Sequence, residues 1–380
     1  MRSLAAAFLL SAGVACAQDS VFDKVQIHGT LSQGALFSTG NSYGTTDSRD
    51  GSFRWTEGSL NFGTSLTDQL RLGIQFHSYS FGQVGAQKVA LDWAYGDYKL
   101  NQYFGIRAGK VKTPSGLFND IQDIDSLYPW ALLPESVYPV DERDLHLAHT
   151  GALVYGEIHP GKRGGTVAYQ IFGGSRTEEP SDGVSIDLAE SGLVLGDTTG
   201  PTWGADIRWT TPVNGWILGA SYLRNYLKAP NAISDGVSTP FQLNYSTWDF
   251  YSQYEYKKIT LSMEWNIEPS HERAGDEPAL YSPSRIWYYM GSYRITDRWS
   301  VGGYYSTDWG PDEGNRDRHD PGNFSHETVA NTRIDFNRYF YLKLEGHYID
   351  GTANGLYAVY NPNGFEKITH LYLARLGFAF

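Results

Sequence analysis

The chain ends at residues 369–380 with the sequence Thr-His-Leu-Tyr-Leu-Ala-Arg-Leu-Gly-Phe-Ala-Phe. Successive side chains of a β-strand point to opposite faces, so every second residue lies on the same face. From residue 372 onward one face of this segment is therefore apolar; it consists of Tyr372, Ala374, Leu376, Phe378 and Phe380. The pattern predicts a strand whose apolar face packs against a protein core or against lipid.

The same alternation recurs along the whole chain. In 259–267, Leu261 and Trp265 share one face, whereas Ser262 and Glu264 share the other. Segments of about ten residues with this alternation, separated by turn residues, are typical of transmembrane β-barrels. We count sixteen of them: 25–39, 52–67, 69–83, 89–100, 103–112, 147–158, 165–175, 202–211, 216–227, 241–257, 259–269, 284–295, 299–309, 325–337, 339–351 and 369–380.

The connections between these segments alternate between short and long. The seven short ones are 67–69, 101–102, 159–164, 212–215, 257–258, 296–298 and 337–338. The eight longer ones are 40–51, 84–88, 113–146, 176–201, 228–240, 270–283, 310–324 and 352–368. Sixteen antiparallel strands with both chain ends on one side need this arrangement. We predict an all-β transmembrane antiparallel barrel of about sixteen strands.

The composition excludes other classes of protein. Mean hydropathy is −0.40 over 380 residues, which is too low for a bundle of transmembrane helices. Aromatic residues make up 15% of the chain, with 27 Tyr, 11 Trp and 42 Gly, and this suits strands better than helices. The net charge of −12 argues against a nucleic-acid partner.

The first residues predict export. Arg2 precedes an apolar run from Leu4 to Ala15, and Ala15-Cys16-Ala17 has the form of a signal-peptidase site. We expect residues 1–17 to be a cleaved signal peptide and 18–380 to be a single barrel domain. Acylation of Cys16 is the alternative. Cleavage after Ala17 removes the only cysteine, so no thiol chemistry is expected.

Two stretches resemble a known family. The terminal Phe380, with the apolar Tyr372, Leu376 and Phe378, resembles the assembly signal that the barrel-assembly machinery reads in Gram-negative outer-membrane proteins. Residues 107–120, Arg-Ala-Gly-Lys-Val-Lys-Thr-Pro-Ser-Gly-Leu-Phe-Asn-Asp, resemble the end of strand five in porin-like proteins. The whole layout is similar to the outer-membrane porin superfamily, and more distantly to phosphate- and carboxylate-selective porins.

The resemblance draws attention to the third long connection, 113–146. In porins this loop folds toward the lumen and narrows it. Here it carries one arginine and seven acids, a net charge of −6: Asp120, Asp123, Asp125, Glu135, Asp141, Glu142 and Asp144. It also contains an apolar stretch, 127–133, that needs a place to be buried. A constriction loop and an external flap are the two readings.

Basic residues are expected on the inner wall. We assign Arg71, Arg107, Lys110, Arg208, Arg333, Lys343 and Arg375 to it. In porins, basic wall residues opposite acidic loop residues produce a field across the pore. We hypothesise that Arg71 and Arg107 face the acidic loop. Two alternative roles are open for these charges: hydration of the lumen alone, or pairing with one another across strands.

The predicted function is therefore a porin: a water-filled channel for passive diffusion of small hydrophilic solutes and ions. Three alternatives stay open: a channel specific for a sugar or organic acid, a plugged adhesin or structural barrel, and an outer-membrane hydrolase. Zincin and dinucleotide motifs are missing from the sequence, and no cofactor, metal or catalytic residue is predicted. The resemblance implies outer-membrane lipid, lipopolysaccharide and a homotrimer as partners.

Overall fold

The computed structural model describes residues 25–161, 164–311 and 314–380. The predicted signal peptide, 1–17, lies outside the described residues. Sixteen long strands, β1 to β16 in chain order, form one sheet: Gln26–Thr39, Ser52–Ser65, Leu70–Phe81, Ala90–Lys99, Gly105–Lys112, Ala148–Ile158, Thr166–Glu178, Thr198–Thr210, Trp216–Ala229, Phe241–Tyr256, Ile259–Ala274, Leu280–Thr296, Trp299–Trp309, Phe324–Asp335, Phe340–Gly351 and Ile368–Ala379.

The sheet is a closed barrel. Each strand pairs antiparallel with its neighbours in sequence, and β1 pairs with β16 to complete the circle. Leu31 lies opposite Phe378 at this seam, and Phe37 lies opposite Tyr372. The predicted antiparallel barrel of sixteen strands is therefore confirmed.

The two faces of the wall differ as the alternation predicts. In β11, Leu261 and Trp265 are exposed on the outward face, whereas Ser262 and Glu264 are buried inside. Aromatic rings follow one another across outward faces: the Tyr222 ring lies 4.4 Å from the ring of Trp248, measured between centroids. The outward face of β16 exposes Tyr372, Leu376 and Phe380 in the same way.

Each predicted segment overlaps one strand, but several strands are longer than expected. The largest difference lies between β11 and β12, where 275–279 is the connection instead of 270–283. Prolines lie at both predicted bounds, and a proline lacks the N–H that a strand ladder uses. In the structure Pro269 faces Pro283 across the ladder, and pairing continues beyond them.

Short elements occupy the long connections. Helix α1 spans Arg143–Leu147, and α2 spans Gly183–Glu190. A small sheet joins Leu193–Val194, Ile233–Ser234 and Val237–Ser238. Within the described residues, 3₁₀ turns lie at Ser48–Asp50, Asp125–Leu127, Pro321–Asn323 and Ala358–Tyr360. Among the described residues, no helix has the length and apolarity needed to cross a membrane.

Several inward-facing glycines make room for an aromatic ring on the next strand. A Cβ built on Gly219 of β9 would lie 2.1 Å from the Tyr251 ring of β10. The hydroxyl of Tyr251 donates to Asp206 Oδ1 at 2.7 Å, so the ring is held in place from its far end. Glycine at 219 is therefore a packing requirement of the wall.

We expect Gly219→Ala to lower the free energy of unfolding by about 1–3 kcal/mol, because the ring cannot move away without losing its hydrogen bond. Urea denaturation of the folded protein in detergent, followed by tryptophan fluorescence, measures this change. Gly63→Ala is the matched control, since its Cβ would meet only one atom, at 4.0 Å. Equal denaturation midpoints for the two variants would contradict the packing argument.

Candidate functional site

The connection 113–147, here called the lumen loop, leaves β5 and contacts the wall first at β3 and β4. Asp123 lies at this contact and is fully buried. Its carboxylate accepts hydrogen bonds from Gln75 Nε2 at 2.7 Å and Trp93 Nε1 at 3.2 Å. Lys112 Nζ binds the other oxygen at 2.6 Å.

The second contact is with β14, β15 and β16. Asp125 is buried, and its carboxylate lies 2.6 Å from Lys343 Nζ and 3.0 Å from an Arg375 nitrogen. Lys343 Nζ also donates to the carbonyl oxygens of Asp125 and Trp130. Glu345 Oε1 accepts from the amide of Ala131 at 2.6 Å. These bonds fix the acidic and apolar part of the loop to one wall.

The third contact is with β8, β11 and β12. The Glu264 carboxylate accepts from the hydroxyls of Tyr138 and Tyr288 and from the amide of Leu117. Arg208 donates to the carbonyl oxygen of Gly116 at 3.1 Å. The three contacts involve inward faces of strands from all around a closed barrel. A segment that reaches all of them crosses the lumen.

Apolar packing accompanies these polar contacts. Trp130 is buried with its ring 5.3 Å from the Tyr304 ring, measured between centroids. Ala131 and Leu132 pack with Trp55 on the wall. The apolar stretch of the loop is thus buried against the inner wall, where the sequence required a place for it.

The predicted acids divide into three groups. Asp123 and Asp125 are in buried ion pairs, and Asp144 pairs with Arg143 at 3.0 Å. Glu135, Asp141 and Glu142 line a cavity at the long-loop end. Asp120 is partly exposed, and its carbonyl oxygen accepts from Lys112 Nζ.

The predicted basic residues also divide. Lys343, Arg375, Arg333 and Arg208 contact the lumen loop. Arg107 instead binds Asp97 at 2.9 Å, because Asp97 lies directly opposite it on β4. Arg71 lines a vestibule at the short-turn end. Lys110 donates to the Leu91 carbonyl. Because it lies three residues after Arg107 on the same strand, its side chain belongs to the opposite face from that of Arg107.

Sequence reasoning missed several charged partners. Arg143 on α1 is buried and binds the Asp92 carboxylate through two nitrogens, at 3.0 and 2.9 Å. His347 lies between Glu327 and Glu345, at 2.7 and 3.1 Å. Alternation alone indicates that Glu327, Glu345 and His347 face inward, but the distant Asp92–Arg143 pair has no local signal.

The cavity at the long-loop end has a volume of about 310 Å³. The lumen loop, α2, the inner wall and the last long connection enclose it. Six carboxylic acids line it: Glu135, Asp141, Glu142, Asp187, Glu268 and Glu272. Burial and the neighbouring Glu142 raise the pKa of Asp141 to about 6, and burial together with Asp141 raises the pKa of Glu135 well above its ordinary value.

Comparison with protein-family models found no match, and comparison with curated proteins found none either. Solved structures are similar. OmpTΔL8, a loop-deletion mutant of an outer-membrane protein of Vibrio cholerae, has a TM-score of 0.59 at 11% identity, covering 94% of this chain and 99% of that one. OmpT of the same species in its trimer form has a TM-score of 0.56 at 10% identity, with 94% and 99% covered.

An anion-selective porin from Comamonas acidovorans is similar as well. Its TM-score is 0.55 at 10% identity, and the match covers 94% of this chain and 99% of that one. At such low identity these likenesses establish the fold. The chain has the fold of a porin-like β-barrel with sixteen strands.

Proposed function

We propose that the protein is an outer-membrane channel for passive diffusion of small hydrophilic solutes and ions. The distribution of polarity around the barrel carries this proposal. The outward faces are apolar and suit lipid, whereas the inward faces carry charged residues that suit water. The lumen loop narrows the passage through the barrel. No chemical step is needed, because solutes move down their own gradients.

The remaining partners follow from the same proposal. We infer that residues 1–17 direct export and are cleaved, and that the apolar face of β16 is read by the barrel-assembly machinery. Outer-membrane lipid and lipopolysaccharide then surround the wall. A homotrimer is proposed, and the trimer form of the similar OmpT supports it.

Reconstitution in a planar bilayer under a potassium chloride gradient tests the proposal. We expect stepwise conductance in groups of three and a reversal potential that indicates a weak preference for cations. A preference for anions would still support a channel, but one whose selectivity is set by the basic residues of the wall. Absence of conductance steps from correctly folded protein would overturn the proposal.

One observation favours a second candidate, a barrel closed by its own loop. The lumen loop is hydrogen-bonded to strands on every side of the lumen, and several of these bonds involve buried charges. A plug of this kind suits an adhesin or a structural barrel. The same bilayer measurement separates the two candidates, because a plugged barrel gives no conductance steps.

A further inference from the structure

The acidic cavity at the long-loop end combines charge with an apolar wall. Among the described residues that line it, none is Lys or Arg, and His146 is the one nitrogen base. The apolar part of the lining includes Leu145, Leu243 and Tyr245. A cavity of this size suits a small organic molecule better than a bare ion.

Glu135 gives a specific reason to expect a ligand. Its side chain is 93% buried, since its exposed fraction is 7%, and it lines the cavity. Oε2 accepts from the Val140 amide at 3.1 Å, but Oε1 has no hydrogen-bond partner in the described structure. A buried carboxylate oxygen without a donor is costly, so a donor from a ligand would stabilise it.

A metal ion does not explain this arrangement. Within residues 25–161, 164–311 and 314–380, no group of three His, Cys, Asp or Glu side chains lies close enough to hold one ion. Asp141 is already engaged by the Tyr357 hydroxyl at 2.6 Å, and Glu268 by the Thr247 hydroxyl. An ammonium group carries several donors and can use one free oxygen at a time, while its alkyl stem packs on the apolar wall.

We propose that this cavity binds a small organic cation, an ammonium or guanidinium group on an apolar stem, before it enters the lumen. The inference rests on the proposed channel and names its preferred class of solute. A second cavity, lined by Asn119, Tyr138 and Asp249, adjoins the first and shares Pro139, His146 and Glu268 with it. The acidic lining therefore extends from the mouth along the wall beside the lumen loop.

The test uses 1,5-diaminopentane as the probe and 1,5-pentanediol as its neutral equivalent. Binding to the detergent-folded protein is measured by calorimetry, and block of conductance is measured in the bilayer. We expect the diamine to bind and block, and the diol to do neither. Glu135→Gln should weaken diamine binding about tenfold, because it replaces the free carboxylate oxygen that would accept from the ammonium group while the other oxygen keeps its bond to Val140.

Two further variants make the result interpretable. Glu142→Gln removes a more exposed acid of the cavity, carries less risk to folding, and should also weaken binding. Asp197→Asn changes net charge equally on an exposed residue outside the cavity lining and should leave binding unchanged. Diol binding, or diamine binding that all three variants leave unchanged, would overturn the inference. Intact diamine binding without any conductance would support the site and overturn the channel.

Discussion

Replacement of Lys343 by Met is expected to lower the free energy of unfolding by about 3–5 kcal/mol. Lys343 Nζ is fully buried and has three acceptors: the Asp125 carboxylate and the carbonyl oxygens of Asp125 and Trp130. Methionine has a similar volume but donates no hydrogen bond. The substitution removes the donor to two buried carbonyl oxygens and leaves the buried Asp125 carboxylate with Arg375 and Tyr341 as its remaining partners, and breaking a buried ion pair is strongly destabilising. Urea denaturation followed by tryptophan fluorescence measures the loss.

Lys367→Met is the control for this experiment. Lys367 binds Asp350 at 2.9 Å, but half of its side chain is exposed at the barrel rim. Exposed pairs contribute at most about 1 kcal/mol. A loss of stability at Lys343 no larger than that at Lys367 would show that the lumen loop does not depend on this anchor.

Replacement of residues 126–136 by a glycine-serine linker of equal length is expected to raise single-channel conductance severalfold. This part of the lumen loop supplies its contacts with β14, β15 and β16 other than those of Asp125, including those of Ala131 with Glu345 and Arg375. Without these contacts the linker is not held across the lumen. The wide aqueous space that sixteen strands enclose is then open to ions. Bilayer recordings at one salt concentration provide the comparison.

The matched control replaces residues 233–238, the exposed tip of another long connection, by a similar linker. Its conductance should equal that of the natural chain. Equal conductance in all three proteins would place the narrowest point elsewhere. A silent natural chain with a conducting 126–136 variant would establish that the lumen loop is a plug.

Most of the fold was predictable because the barrel wall has lipid on one side and water on the other. Apolar and polar residues therefore alternate along each strand with a period of two. Leu261 and Glu264 obey that period, and so does β16. Strand ends were less predictable: Pro269 and Pro283 look like terminators separately, and only their pairing across β11 and β12 permits the ladder to continue. That pairing is not local information.

The site was predictable in its location and less so in its pairings. The acidic composition of 113–146 indicated where charge would collect. It did not indicate that Asp125 would meet Lys343 and Arg375, more than 200 residues later, or that Arg107 would turn to Asp97. Long-range pairs depend on the path of the loop across the barrel, which follows from many contacts together.

The seam between β1 and β16 has a consequence for biogenesis. The amide of Gly29 donates to the Phe380 carbonyl, and the amide of Phe380 donates back, so the last residue completes the first strand. A chain that lacks its end leaves two ribbons of unpaired N–H and C=O groups, which hydrocarbon cannot solvate. The cylinder therefore closes only when β16 and Phe380 pair with β1.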